Sequence, residues 1–194
     1  MDKILITGGS GLLGSNLSKA ATSKFEVFAV YHSNEVTGRD IKFLQADLTD
    51  NGDLEKLEKI RPDAIVHCAA LTDVDFCEKH PAEAYRQNCL ASAHIAKIAQ
   101  DVDASFIHIS TDMVFDGQDG NYSEEAPPNP INHYGKSKLL AEQNVQSICP
   151  SACIIRTNIY GWNKRDKYSL AEWMLNKLSR SEELTGIRLS LIHI

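Results

Sequence analysis

Ile4-Leu-Ile-Thr-Gly-Gly-Ser-Gly-Leu-Leu-Gly14 is the stretch on which the reading of this chain turns. Lys3 to Thr7 is a short apolar run with β-branched residues that ends abruptly in glycines, the pattern of a buried strand entering a tight turn. Beyond it, Leu12, Leu13, Leu17, Ala20 and Ala21 fall at spacings that give a helix one apolar face. A glycine turn between strand and helix leaves backbone N–H groups free at the positive end of the helix dipole, where a phosphate fits without a side-chain clash. Gly9, Gly11 and Gly14 spell G-x-G-x-x-G, and Gly8, Gly11 and Gly14 spell G-x-x-G-x-x-G. Ser15 and Asn16 stand where a mononucleotide P-loop requires Lys and Ser/Thr, which excludes that motif. A dinucleotide is the ligand this context predicts; a merely structural turn is the alternative.

Outward from that turn, apolar runs alternate with helical spacings. Glu26–Tyr31, Ile41–Ala46, Ala64–Cys68, Ser105–Ser110 and Ala152–Thr157 read as further strands. Helices are predicted over Asp53–Ile60, Pro81–Gln100, Tyr134–Ile148 and Tyr168–Leu178. Gly117–Pro130 reads as a polar loop passing over a site. This alternation predicts an α/β fold, a doubly wound, Rossmann-like parallel sheet. Ligands of such sheets sit at the carboxyl ends of the strands. Gly8–Gly14, Ala69, Thr111 and Tyr160 all fall at such ends, so a single site is expected.

The 194 residues suit one domain, or one domain plus part of a second, and 43% hydrophobic against 24% charged residues is ordinary for a soluble protein with a core. A net charge of −6 without a basic block makes nucleic acid a poor partner. No apolar run approaches the about 18 residues that cross a bilayer. Ile4–Ile6 is too short for the apolar region of a signal peptide, so no membrane partner is expected. Five cysteines, none in a C-x-x-C pair, predict reduced structural thiols and a cytoplasmic location. The scattered histidines show no H-x-x-x-H or H-E-x-x-H, and no metal is expected.

The end of strand two bears on the cofactor. NAD-binding sheets of this kind place an acid there against the ribose 2′-hydroxyl. Tyr31-His32-Ser33 carries none before Glu35, so a 2′-phosphate meets no repulsion and can be received by His32, Ser33 or Arg39. NADP(H) is therefore favoured and NAD(H) not excluded. Asp47-Leu48 can bond an adenine amino group or equally cap a helix, and the small pair Ala69-Ala70 lets a ligand approach the backbone. Asn88 is either an exposed residue without a role or a buried group with a specific partner. Tyr134-Gly-Lys-Ser-Lys138 puts a phenol and an ammonium on one helical face. The ammonium is expected to bring the phenol down from its usual pKa of about 10, readying it for proton transfer. Tyr160-Gly-Trp-Asn-Lys164 repeats the pattern but holds Gly and Asn in a loop, so Tyr134 is preferred. Thr111 can donate to the same substrate oxygen, or simply end its strand.

Thr7-Gly-Gly-Ser-Gly-Leu-Leu-Gly14, Ser110-Thr-Asp-Met-Val-Phe-Asp-Gly117 and Tyr134-Gly-Lys-Ser-Lys138 together resemble the extended short-chain dehydrogenase/reductases, and among them the dTDP-4-dehydrorhamnose reductase group. Cys68-Ala-Ala-Leu-Thr-Asp-Val-Asp75 and Arg156-Thr-Asn-Ile-Tyr-Gly161 fit that group too. The resemblance implies a Thr111–Tyr134–Lys138 triad and phosphates over Gly8, Gly11, Leu12, Leu13 and Gly14. It implies adenine near Asp47 and Leu48, and cofactor contacts at Ala69, Ala70, Tyr134 and Lys138. Asn88 matches an asparagine that recurs in the same helix of these reductases and is carried over as a cofactor residue. The implied activity is NAD(P)H-dependent reduction of a nucleotide-linked 4-keto-6-deoxysugar. Sugar-nucleotide dehydratases of the superfamily carry Thr-Asp-Glu where Thr111-Asp112-Met113 stands, and methionine cannot exchange a proton, which favours plain reduction. The rival readings are a sugar-nucleotide epimerase and a non-catalytic NADP-binding subunit resembling the β-subunit of methionine adenosyltransferase.

Residues 1–160 are accordingly expected to form the cofactor domain and residues 161–194 the start of a substrate lobe. Arg188-Leu-Ser-Leu-Ile-His-Ile194 departs from the resemblance, so the lobe is expected to be incomplete. Apolar surface left uncovered by it would favour association, a homodimer being the simplest form.

Overall fold

The computed structural model describes residues 1–162, 169–180 and 182. The chain runs through β1 (Lys3–Thr7), α1 (Leu12–Ala21), β2 (Glu26–Tyr31), β3 (Ile41–Gln45), α2 (Asn51–Glu58), β4 (Ala64–His67) and α3 (Val74–Lys79). A composite helix follows: α4 (Pro81–Ala84) passes through a π-helical turn, Tyr85–Leu90, into α5 (Ala91–Val102). Then come β5 (Ser105–Ser110), a 3-10 turn at Asp112–Val114, α6 (His133–Ile148), β6 (Cys153–Arg156) and α7 (Leu170–Ser179).

The six strands pair in parallel in the order β3-β2-β1-β4-β5-β6. Side chains alternate across a strand, so a sheet covered on both faces sends neighbouring residues into different cores. β1 does so: Leu5 joins Ile65, Ile95, Phe106 and Val145 on the side of α5 and α6, while Ile4 and Ile6 join Ala21, Val27 and Val66 on the side of α1. This is the doubly wound sheet that the alternation predicts. Its strand order reverses between β1 and β4, and a crevice opens at their carboxyl ends.

Two glycines set how tightly that crevice is built. Gly8 has φ +67°, and a Cβ there would stand 2.8 Å from the Ala69 nitrogen. A Cβ on Gly14 would stand 2.2 Å from the Gly8 carbonyl oxygen, so α1 packs directly on its own entry turn.

Departures from the sequence reading are local. Asp50 caps α2 by accepting from the Asp53 N–H, which starts that helix at Asn51 rather than Asp53. The six residues of α3, capped by Asp73, were not anticipated at all. The helix expected from Pro81 to Gln100 contains the π turn and runs on to Val102, where Asp103 ends it in the left-handed region. Ser169 and Glu172 form a capping box that starts α7 at Leu170, while Tyr168 and Arg188–Ile194 lie outside the described residues. All five cysteines are free; Cys77, Cys89 and Cys149 are buried and Cys153 is exposed on β6. Among the described residues no helix is long and apolar enough to cross a membrane.

Gly14→Ala is expected to destabilise the chain by about 2 kcal/mol or more, because the new methyl meets backbone rather than a side chain that can move. A urea unfolding midpoint equal to the parent's would show instead that α1 can back away from the turn.

Candidate functional site

Along the carboxyl ends of β1, β2, β4 and β5 lies a cavity of about 840 Å³, within the usual size range for small-molecule and cofactor sites. Gly8, Gly11, Leu12, Leu13 and Gly14 line one side of it, with His32, Ser33 and Leu48 at one end. Ala69, Ala70, Thr111, Tyr134 and Lys138 complete the wall, with Asn158, Ile159 and Ser169 beyond them. Gly11 caps α1 without a side-chain hydrogen bond, and the first turn holds no acid. The helix therefore presents its dipole end to the cavity with nothing competing for an anion, and a dinucleotide diphosphate fits it.

Two residues expected at the wall stand behind it. Asp47 accepts from the N–H and hydroxyl of Thr49, at 2.8 and 2.7 Å, and lies 3.9 Å from both His32 Nε2 and Arg86 Nη1. Asn88 is fully buried: it accepts from the Leu71 N–H at 2.7 Å and donates to the Leu71 carbonyl and to Ser137 Oγ. Ser137 in turn donates to the Tyr134 carbonyl at 2.7 Å. Asn88 thus ties the loop after β4 to the helix that carries the phenol and does not face the cavity. Arg39 is exposed and also outside the wall. Tyr160 is 82% exposed, and Asn163 and Lys164 lie outside the described residues.

Below the wall runs a buried polar network that the sequence reading missed. Thr7 Oγ1 accepts the N–H groups of Cys68 and Ala69, at 3.1 and 3.2 Å, so its own hydrogen goes to His67 Nδ1 at 2.7 Å. With Nδ1 accepting, Nε2 carries the hydrogen and donates to Ser92 Oγ at 2.9 Å; Ser92 donates onward to the Asn88 carbonyl. Burial, helped by the nearby Lys138 ammonium, pulls His67 down from 6.5 to about 3. His108, paired with His67 in the sheet register and stacked on it at 5.4 Å, is held well below its ordinary value for the same reasons. The visible signal was a histidine in each of two neighbouring strands that are otherwise apolar.

Lys138 is 1% exposed, donates to the Ile109 carbonyl at 2.8 Å and lies 3.4 Å from His108 Nε2. Desolvation lowers its pKa from 10.5 to about 8, against the pull of the Glu142 carboxylate. Glu142 accepts from Ser110 at 2.5 Å and is gripped by Arg156, 2.7 Å away on β6. Tyr134 corrects the sequence reading. Its phenol is pushed up, not down: burial dominates, the Asp112 carboxylate adds to it, and a hydrogen bond with Thr111 works the other way. Two of the three Lys138 donors are directed to β5. Thr111 also donates to Asp112 Oδ1 at 3.0 Å and accepts from the Met113 N–H.

The chain matches the family described as the RmlD substrate binding domain over residues 1–188. It is 38% identical to the probable low-salt glycan biosynthesis reductase Agl14 of Haloferax volcanii over 183 residues, covering 91% of this chain and 61% of that protein. It is 36% identical to methionine adenosyltransferase 2 subunit beta of Bos taurus over 185 residues, covering 93% of this chain and 54% of that one. The crystal structure of dTDP-4-dehydrorhamnose reductase from Bacillus anthracis in complex with NADP superposes with a TM-score of 0.71 at 30% identity, covering 93% of this chain and 61% of that one. The chain therefore spans between half and two thirds of the length of these relatives.

Two outcomes are expected from the buried bases. His67 stays neutral in the fold but takes a proton in the unfolded chain below its ordinary 6.5, so stability is complete above that pH and drains away as pH falls towards 3. At pH 5 its share of the loss is about 2 kcal/mol, read as a lower urea midpoint than at pH 7.5; an unchanged midpoint refutes it. For Lys138 the folded value is also depressed, so the buried ammonium burdens the fold fully below about 8 and ceases to do so above 10.5. The burden is on the order of 3 kcal/mol, and Lys138→Met is expected to unfold at the parent's temperature or higher at pH 7. A clearly lower melting temperature would make Lys138 a structural residue.

Proposed function

We propose, from the premise that this chain belongs to the RmlD substrate binding domain family of extended short-chain dehydrogenase/reductases, that its cavity binds NADP(H) in preference to NAD(H) and serves the reduction of a nucleotide-linked 4-keto-6-deoxysugar. The observation that carries the proposal is convergence: the uncapped glycine turn, Thr111 at the end of β5, and Tyr134 with Lys138 on α6 come from three separate stretches and line one cavity. Reading residues 1–160 as the cofactor domain and the stretch from residue 161 as the beginning of the substrate lobe agrees with Ser169 reaching the cavity's far side.

The bound nicotinamide would supply the hydride; the other parts of the reaction fall to side chains of this chain. The N–H groups of α1 would receive the diphosphate, and His32 and Ser33 a 2′-phosphate. Val30 to Asn34 hold no carboxylate, and the acids near them, Asp47 at 3.9 Å from His32 Nε2 and Glu83 in the cavity lining, are both paired with Arg86. Tyr134, kept protonated by burial, is suited to give its proton to a substrate carbonyl oxygen, which is what reduction demands of an acid. Thr111 would hydrogen-bond that oxygen, and Lys138 would supply the cation that makes the departing proton affordable. Met113 lines the same wall and has no proton to exchange, which supports reduction over dehydration.

A second reading has a specific observation behind it, the relationship to the bovine regulatory subunit. It keeps the cofactor and drops the chemistry. Free cysteines fit a reducing compartment such as the cytoplasm, and half-exposed Trp173, Met174 and Leu175 on α7 fit association with a second copy.

Fluorescence titration is expected to give a lower Kd for NADPH than for NADH; a tenfold preference for NADH, about 1.4 kcal/mol, would overturn the reading of the β2 end. In an assay of NADPH oxidation with dTDP-4-keto-6-deoxyglucose, Tyr134→Phe is expected to lose about 10² or more in turnover while its NADPH Kd stays within about twofold. NADPH binding without oxidation by the parent would favour the regulatory reading.

A further inference from the structure

His108 carries an anomaly that the proposed reaction does not use. Among the described residues, its Nδ1 is the buried side-chain nitrogen or oxygen that has no hydrogen-bond partner. An orphan of this kind costs about 1–3 kcal/mol, and a fold that tolerates it gains something at the other ring nitrogen. That nitrogen, Nε2, faces Lys138 Nζ, which can only donate. The favourable tautomer therefore has Nε2 accepting, and its hydrogen is left on Nδ1 with nowhere to go. The stack on His67 fixes the ring, because His67 is itself locked between Thr7 and Ser92.

We propose that His108 is a positioning residue for Lys138: its Nε2 lone pair and the Ile109 carbonyl hold two of the three Nζ–H donors and so aim the third into the cavity. On the reading of that cavity as an NADPH site, the third donor meets the cofactor. Other titratable groups face the ammonium. They are His67 and Cys68 from β4 and the turn after it, and Glu142 one turn later on α6, the last already paired with Arg156. None of these replaces the lost lone pair, since His67 has both nitrogens engaged and Glu142 is held by Ser110 and Arg156.

The test compares His108→Leu, close in volume but without an acceptor, with His108→Gln, whose amide oxygen reaches as far as Nε2. His108→Asn, too short to reach Nζ, is a second variant without an acceptor at that position should the leucine variant fold poorly. Lysine labelled with ¹³C at Cε reports the titration of Lys138, assigned by its disappearance in Lys138→Met. The parent resonance is expected to titrate near about 8. Without an acceptor the ammonium is harder to keep, so the midpoint is expected to fall by about one unit in the leucine and asparagine variants and to stay near the parent's in the glutamine variant. NADPH affinity is expected to weaken about tenfold in the first two and to recover in the third. Titration and affinity in His108→Leu and His108→Asn equal to the parent's would overturn the proposal. A parent that does not bind NADPH would refute the cofactor reading, while the ¹³C titration still decides the role of His108.

Discussion

The hydroxyl of Thr7 stands where the strand order reverses, and the site depends on what it does there. It takes two N–H groups from the chain leaving β4 and gives its hydrogen to His67, which fixes the exit of β4 against the exit of β1. Only with that exit fixed can Cys68 and Ala69 pass Gly8 at a distance that leaves no room for a Cβ. From His67 the same network continues through Ser92 to the Asn88 backbone; the Asn88 side chain then reaches Leu71 and, through Ser137, the Tyr134 carbonyl. The phosphate-binding turn and the phenol are joined by neutral hydrogen bonds in a buried setting, where each broken member leaves an unsatisfied group.

Electrostatically, the network keeps protons off the imidazoles and concentrates positive charge at Lys138. A second proton on His67 or His108 would sit beside that ammonium in a desolvated interior. The compensating carboxylate, Glu142, is turned away towards Arg156 and Ser110, so it tempers the lysine without neutralising it. Burial holds Tyr134 in its acid form. The result is a proton donor with a buried cation one helical turn away.

The sheet was legible because its strands are buried on both faces and punctuated by glycine and proline. β2 and β5 have the bounds that the apolar runs suggested. Tyr134 and Lys138 were legible as a pair because i and i+4 share a helical face. What the pair does to its own proton affinity was not, since that depends on Ile109 and His108 drawing the ammonium to β5. Apolar periodicity misjudged the composite helix for a related reason. Apolar Leu90 is partly exposed there, whereas polar Asn88 and Ser92 face inward towards partners on β4 and the loop after it. An inward polar residue is invisible until its partners, distant in sequence, are known. α3 escaped notice because six residues are too few for a period to show.

The distribution of thiols turns the molecule into a convenient reagent. Burial pushes Cys68 up to about 12 and raises Cys77 and Cys89 as well, and Cys149 is shut inside the core. Thiolates are what alkylating dyes attack, so these four resist them. Cys153 alone is exposed, at the amino end of β6 and therefore at the sheet edge opposite the cavity mouth. A maleimide fluorophore will settle there, at the end of the strands away from the glycine turn, and leave the cavity open.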